Sequence, residues 1–250
     1  MTDFIKGLDV SVVQGSNINW QAIVDANYKF CIVRCGVGND KPDVNYVKNI
    51  ANAKSVGLKV AAYHFVYPLP PLDSQPLRDP LKQAQLHFNA AQGELACCDL
   101  EWPATQDWSK WGCSSQQIND WGLSYLQEYS RLDGRKMIVY SYPFFAQAVK
   151  FSPEYAQYPL WIASYQKSPT IPSPWTDFAL WQNSGGTDRL PGTGVPVDGD
   201  LAKDLSLWGT TDITVNSNDP VAQNSKNQPA QSSSSKPGIL NNITNWWKKF

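Results

Sequence analysis

The sequence predicts an α/β chain: an irregular (β/α)8 TIM-like barrel with reduced helices in its second half, then a flexible linker and a short amphipathic C-terminal helix. Three observations predict it. Eight short runs rich in β-branched and aromatic residues recur within residues 1–212. Several are apolar nearly throughout, as in Phe30-Cys-Ile-Val-Arg-Cys35 and Lys59-Val-Ala-Ala-Tyr-His-Phe65. Such runs fit strands buried on both faces, hence parallel strands with helical crossovers. Helical periodicity fills several of the intervals.

Taken in order, the strand candidates are 7–11, 30–38, 59–68, 94–102, 136–142, 159–165, 177–183 and 195–201. Helical patterns at 20–26, 45–56, 80–92 and 114–131 supply the early crossovers. The later intervals are thinner: 152–157 is too short and 168–175 too short or too Pro-rich for a full crossover helix. Eight strands in so few residues stand at the short end of a β/α barrel, so the barrel is expected to be irregular. The expected domains are a barrel at 1–212, a linker at 213–237 and a terminal segment at 238–250.

The linker reading rests on composition. Between 216 and 236, thirteen of twenty-one residues are Ser, Asn or Gln, and Val221 is the one large apolar side chain. Such a stretch cannot bury enough surface to offset its ordering entropy. In the segment after it, Ile239, Ile243, Trp246 and Phe250 fall at helical spacing. So short a helix is marginal in water and needs a surface, either the barrel or an envelope contacted through Trp246, Trp247, Lys248 and Lys249.

Charge and composition exclude some classes. Lys plus Arg is 21 and Asp plus Glu is 22, a balance unsuited to coating nucleic acid or an anionic membrane. No run approaches the roughly 20 apolar residues that span a bilayer. The N-terminus lacks a basic region followed by an apolar one, so synthesis without a secretory signal peptide is expected. The odd set Cys31, Cys35, Cys97, Cys98 and Cys113 has no CxxC spacing, and reads as reduced, mostly buried thiols. The chain has 11 Trp; most are expected to fill the core, although aromatic faces also build carbohydrate clefts.

The acids carry the chemistry. In a β/α barrel the reactive groups gather at the C-terminal strand ends. Reading acids there selects Asp9, then Asp99 and Glu101, then Asp198 or Asp200. Asp99 and Glu101 stand two apart on one strand, so both point to the same face, about 6–7 Å apart along the backbone. Two acids in one mouth suppress each other's ionisation, and one can hold a proton near neutral pH. A glycosidase needs that division: an acid to protonate the leaving oxygen and a carboxylate to stabilise positive charge on the sugar. Trp102, next to Glu101, can desolvate the acid further.

The order of motifs resembles the family 25 glycoside hydrolases, the Chalaropsis-type lysozymes common among bacteriophage endolysins. The opening Gly7-Leu-Asp-Val-Ser-Val-Val-Gln-Gly15 with Ile18-Asn-Trp20 carries it first. Ala62-Tyr-His-Phe65, Asp99-Leu-Glu101, Ile138-Val-Tyr-Ser141, Leu160-Trp-Ile-Ala-Ser-Tyr165, Leu180-Trp-Gln182 and Val197-Asp198 follow. The resemblance implies an N-acetylmuramidase that cuts the β-1,4 bond after N-acetylmuramic acid in peptidoglycan. It also implies a short barrel whose last strands lack proper crossover helices. Glu101 would be the general acid and Asp99 would stabilise the charged ring, or an oxazolinium formed by the substrate's acetamido group. Asp9 and Asp198 would form the other wall. Tyr63, Phe65, Tyr140, Trp161, Tyr165 and Trp181 would line the sugar groove, with Trp102 and Asp200 as further substrate contacts. The family motif Val-Asp-x-Asn-x-Phe departs here to Val197-Asp-Gly-Asp-Leu-Ala202, which leaves Asp198 and Asp200 as alternatives. Asp198 is favoured because Val precedes it.

No metal site or cofactor is expected, because His64 and His87 have no supporting ligand spacing and read as packed or surface residues. There is no Gly-x-Ser-x-Gly elbow and no phosphate loop. The expected partner is bacterial peptidoglycan, with no nucleic acid, and the expected state is a monomer. A phage or prophage lytic enzyme would be made in the host cytoplasm and act on the wall after release. Two competing readings are a barrel that binds glycan without cutting it, and a chitinase-like hydrolase. The second expects further aspartates spaced by two before Asp99, where this chain has Leu95 and Cys97.

Overall fold

The computed structural model describes residues 4–39, 41–68, 78–101, 113–190 and 192–209. The expected linker and terminal helix, and most of the Pro-rich sequence between 68 and 80, lie outside the described residues. Within them the strands are β1 (Ile5–Val10), β2 (Tyr28–Val37), β3 (Lys41–Pro42), β4 (Lys59–Phe65), β5 (Leu95–Asp99), β6 (Ile138–Ser141), β7 (Leu160–Ala163), β8 (Leu180–Asp188) and β9 (Val197–Ala202). Five helices join them: α1 (Trp20–Asp25), α2 (Tyr46–Ser55), α3 (Pro80–Ala91), α4 (Ser115–Asp133) and α5 (Pro143–Val149).

Eight strands close into a barrel in the order β1-β2-β4-β5-β6-β7-β8-β9, with β9 returning to β1 and β3 added to β2 as a two-residue edge. Apart from the antiparallel β2–β3 edge, every neighbouring pair from β1 to β8 is parallel. The exception is β9, which runs antiparallel to both β8 and β1. Only residues 189–196 separate β8 from β9, too few for the crossover that a parallel strand requires. The irregularity expected of the second half therefore takes a specific form. The β7–β8 interval holds no helix, α5 and the short 3-10 turn Pro153–Gln157 serve β6–β7, and the last strand is reversed.

The helices begin and end where local chemistry allows. At α3, the Asp79 carboxylate accepts from the Leu81 and Lys82 N–H groups and Pro80 opens the first turn. At α4, Ser114 and Gln117 form a reciprocal capping box, and Gly134 at φ 77° ends the helix. The two long helices lie against the barrel wall: Tyr125, Leu126 and Tyr129 of α4 pack on outward side chains such as Cys98 and Val139. Ile23 of α1 and Ile50 of α2 pack with Leu8, Cys31 and Val33.

Alternate strand residues point inward and fill the barrel, including Phe30 and Ile32, Ala61 and Tyr63, Cys97, Tyr140 and Trp161. The inward position Gly7 has no room for a side chain, since a Cβ there would lie 2.2 Å from the Phe30 ring. After β9 the short turn Ser206–Trp208 plugs one end. Trp208 donates Nε1–H to the Val60 carbonyl at 2.7 Å, and its ring lies 5.3 Å from that of Phe30. Phe30 and Val60 sit near the starts of their strands, so the plug closes the N-terminal end. The opposite end holds the acids. Cys31, Cys35, Cys97 and Cys98 are buried free thiols, as expected, and Cys113 is half-buried. His64 and His87 stack on one another in the wall, and burial pushes both below the usual imidazole range, His64 to about 4.

Candidate active site

The C-terminal ends of the parallel strands carry Asp9 on β1, Asp99 on β5 and Glu101 just beyond it. Because β9 is reversed, its first residues arrive at the same end. Asp198, the second residue of β9, is the register partner of Asp9, whereas Asp200 pairs with Gly7, one pleat deeper. The ambiguity left by the sequence thus divides by depth: Asp198 is at the mouth and Asp200, 1% exposed, lies in the floor. The Gly186 N–H donates to Asp198 Oδ1 from a bulged stretch of β8.

These carboxyls feel one another. Burial, reinforced by the charge of Asp198, pushes Glu101 up to about 8. Asp99 is raised by burial first and by Glu101 second, and is drawn back down by the Arg34 guanidinium. Asp9 is raised by burial and by Asp198, Asp200 and Asp99, while an amide hydrogen bond from Gln182 opposes the rise. Of the two acids of the Asp-x-Glu motif, Asp99 is the one on which the Arg34 cation acts, and both are held above the usual carboxylate range. Among the described residues, Asp99 Oδ1 is buried and has no hydrogen-bond partner.

Two polar residues without an assigned role in the sequence reading organise this mouth. Gln182 is 4% exposed; its Nε2 donates to Asp9 Oδ2 at 2.8 Å. Its Oε1 accepts from the Tyr140 hydroxyl at 3.0 Å and the Tyr165 hydroxyl at 2.9 Å. Those three bonds define the amide orientation. Arg34 pairs with Asp43 at 3.1 Å, and the same Asp43 carboxylate accepts from the Val12 N–H at 2.7 Å. This contact ties the exit of β1 to β2 at the C-terminal end of the barrel.

The aromatic residues separate into rim, floor and wall. Tyr165 is 62% exposed at the rim and Phe65 is half-buried at the end of β4. Tyr63, Tyr140 and Trp161 form the floor, with Trp161 packed edge-on against Tyr140 at 4.6 Å and Tyr63 at 6.1 Å. Trp161 is 2% exposed and donates Nε1–H to Asp200 Oδ1 at 2.8 Å, so it supports the groove from below. The expectation for Trp181 is corrected. It belongs to the outer cluster, packs on Phe4 and Phe178, and donates to the Ser164 carbonyl. Strand alternation decides this: with Gln182 facing in, its neighbour must face out. That alternation was the available signal for Gln182. Trp102 lies outside the described residues.

The comparisons with known proteins agree with this geometry. The model of the glycosyl hydrolases family 25 matches residues 8–192. An autolytic lysozyme from Clostridium acetobutylicum is 26% identical over 220 residues, which cover 84% of this chain and 62% of that relative. A bacterial lysozyme from Streptomyces coelicolor shares the fold at a TM-score of 0.74 and 24% identity, covering 83% of this chain and 98% of that one. A family GH25 lysozyme from Aspergillus fumigatus superposes at 0.69 with 22% identity, over 80% and 94%. With its closed barrel, reversed last strand and paired acids at the open end, the chain belongs to the glycosyl hydrolases family 25.

Proposed function

We propose that the protein is an N-acetylmuramidase that hydrolyses the β-1,4 bond between N-acetylmuramic acid and N-acetylglucosamine in bacterial peptidoglycan. The observation that carries the reading is the Asp99–Glu101 pair. It joins an acid pushed up to about 8, which holds a proton at neutral pH, to a second buried carboxyl whose rise a guanidinium opposes. Glu101 gives its proton to the glycosidic oxygen as the C1–O bond breaks. Asp99 then faces the positive charge at the ring, or on an oxazolinium made by the acetamido group. Water adds at C1 and returns a proton to Glu101. Asp9 and Asp198 wall the opposite side.

The reading extends to a phage or prophage lytic enzyme, acting as a monomer, made in the host cytoplasm and released onto the wall. The names of its relatives favour it: an autolytic lysozyme, and among structural neighbours the CTP1L endolysin, which shares the fold at a TM-score of 0.64. The test is to digest purified peptidoglycan, reduce the new ends with borohydride and identify them by mass spectrometry. Reduced muramic acid is expected. Reduced glucosamine would mean that the other glycosidic bond is cut, and binding without new ends would mean a catalytically silent barrel.

A further inference from the structure

Asp200 has no part in the acid pair, yet it is the most deeply buried acid of the barrel at 1% exposure. Among the described residues Trp161 donates Nε1–H to Oδ1, and Oδ2 receives no N–H or hydroxyl donor. Its carboxyl lies in hydrogen-bond reach of Asp9, which is itself 7% exposed and held at Oδ2 by Gln182. The register explains the approach: Asp200 is the partner of Gly7 on β1 and of Gln182 on β8, so no side chain at 7 separates it from Asp9. Two carboxylates in contact present acceptor to acceptor, an arrangement that a proton between them converts into a hydrogen bond.

We propose that Asp9 and Asp200 hold one proton between them, and that Asp200 is a positioning residue. It holds Asp9 at the mouth from below through that proton. The groups facing Asp200 are Asp9 on β1, the Cys97 thiol on β5, Trp161 on β7, Gln182 on β8 and Asp198 on its own strand. None of these is a cation; Arg34 acts on Asp99 and Tyr63. Burial and Asp198 disfavour charge on Asp200 while the Trp161 and Asp9 hydrogen bonds favour it, a balance that one proton shared by the pair satisfies.

The experiment counts protons released on unfolding at pH 7, from calorimetry of the full chain in buffers of different ionisation enthalpy. In the unfolded chain both aspartates are ionised. Asp200→Asn, Asp9→Asn and the double variant should each release about one proton fewer than the wild type, because the pair holds only one. An unchanged count in Asp200→Asn would overturn the proposal, as would a double variant that releases two fewer. The amide mimics the protonated acid, so failure of Asp200→Asn to fold would also overturn it. A second readout rests on the muramidase reading: Asp200→Ala should lower kcat by tenfold or more, with recovery in Asp200→Asn. Equal losses in both variants would refute positioning. The proton count stands whether or not glycan is cleaved.

Discussion

Asp9 and Asp198 are register partners across the antiparallel β1–β9 pair, one from the first strand of the barrel and one from the last. Their charges oppose each other, and the charge of Asp198 also reaches Glu101. The seam that closes the barrel is therefore also a wall of the catalytic mouth.

Removing Asp198's charge should retune the acid. Asp198→Asn takes away the charge that helps to hold the proton on Glu101, whose pKa stands at about 8. The alkaline limb of kcat against pH should move downward by roughly half a unit to one unit. An unmoved limb would show that another group sets it.

Glu101→Gln should lower turnover at least about 100-fold while glycan binding persists. It should also raise the melting temperature at pH 7 by several degrees. The sign follows from linkage. The folded pKa is raised, so the folded state keeps a proton that the unfolded chain has lost, and stability falls as pH rises from the ordinary carboxylate range toward about 8. Gln carries no such proton. Melting scans at pH 4.5 and pH 7 should show the variant's advantage only at the higher pH.

Gln182→Leu removes three hydrogen bonds at once and leaves Asp9 Oδ2 and two tyrosine hydroxyls without their partner. The loss should be about 2–3 kcal/mol in urea unfolding, with a further fall in kcat as Asp9 loosens.

Gly7→Ala should destabilise by about 1–3 kcal/mol or more, because the new methyl meets the Phe30 ring inside the barrel. Phe30→Leu in the same chain should recover part of the loss, which a double-mutant cycle would measure.

Deleting residues 238–250 tests the tail. If Trp246, Trp247, Lys248 and Lys249 engage the envelope, lysis of whole cells should weaken while digestion of solubilised glycan is spared. A joint fall of both activities and of the melting temperature would mean that the segment docks on the barrel.

Much of this was legible because period and position coincide. Helices predicted at 20–26, 45–56, 80–92 and 114–131 match α1 to α4 within two residues at each end. The acids stood out because Asp9 and Asp99 interrupt apolar strands at their C-terminal ends. Other features depend on contacts distant in sequence. The reversal of β9 follows from the shortness of one connection, and it alone places Asp198 above Asp200. Trp181 shared a motif with Gln182, and motif membership does not say which face a residue takes. The helix α5 is seven residues long, too short for its periodicity to rise above its neighbours. Arg34 and Asp43 acquire meaning only once β1 ends beside them.

The closing strand and plug come last in the barrel, at Val197–Ala202 and Ser206–Trp208. A ribosome adding residues from the N-terminus has therefore produced Asp9, Asp99 and Glu101 long before Asp198 and the Trp208 stopper exist. Until then β1 has an open edge where β9 will dock, the floor of the barrel is unsealed, and one wall of the mouth is missing. The mouth is thus completed only at the end of barrel synthesis, and its last wall is the last part of it to be made.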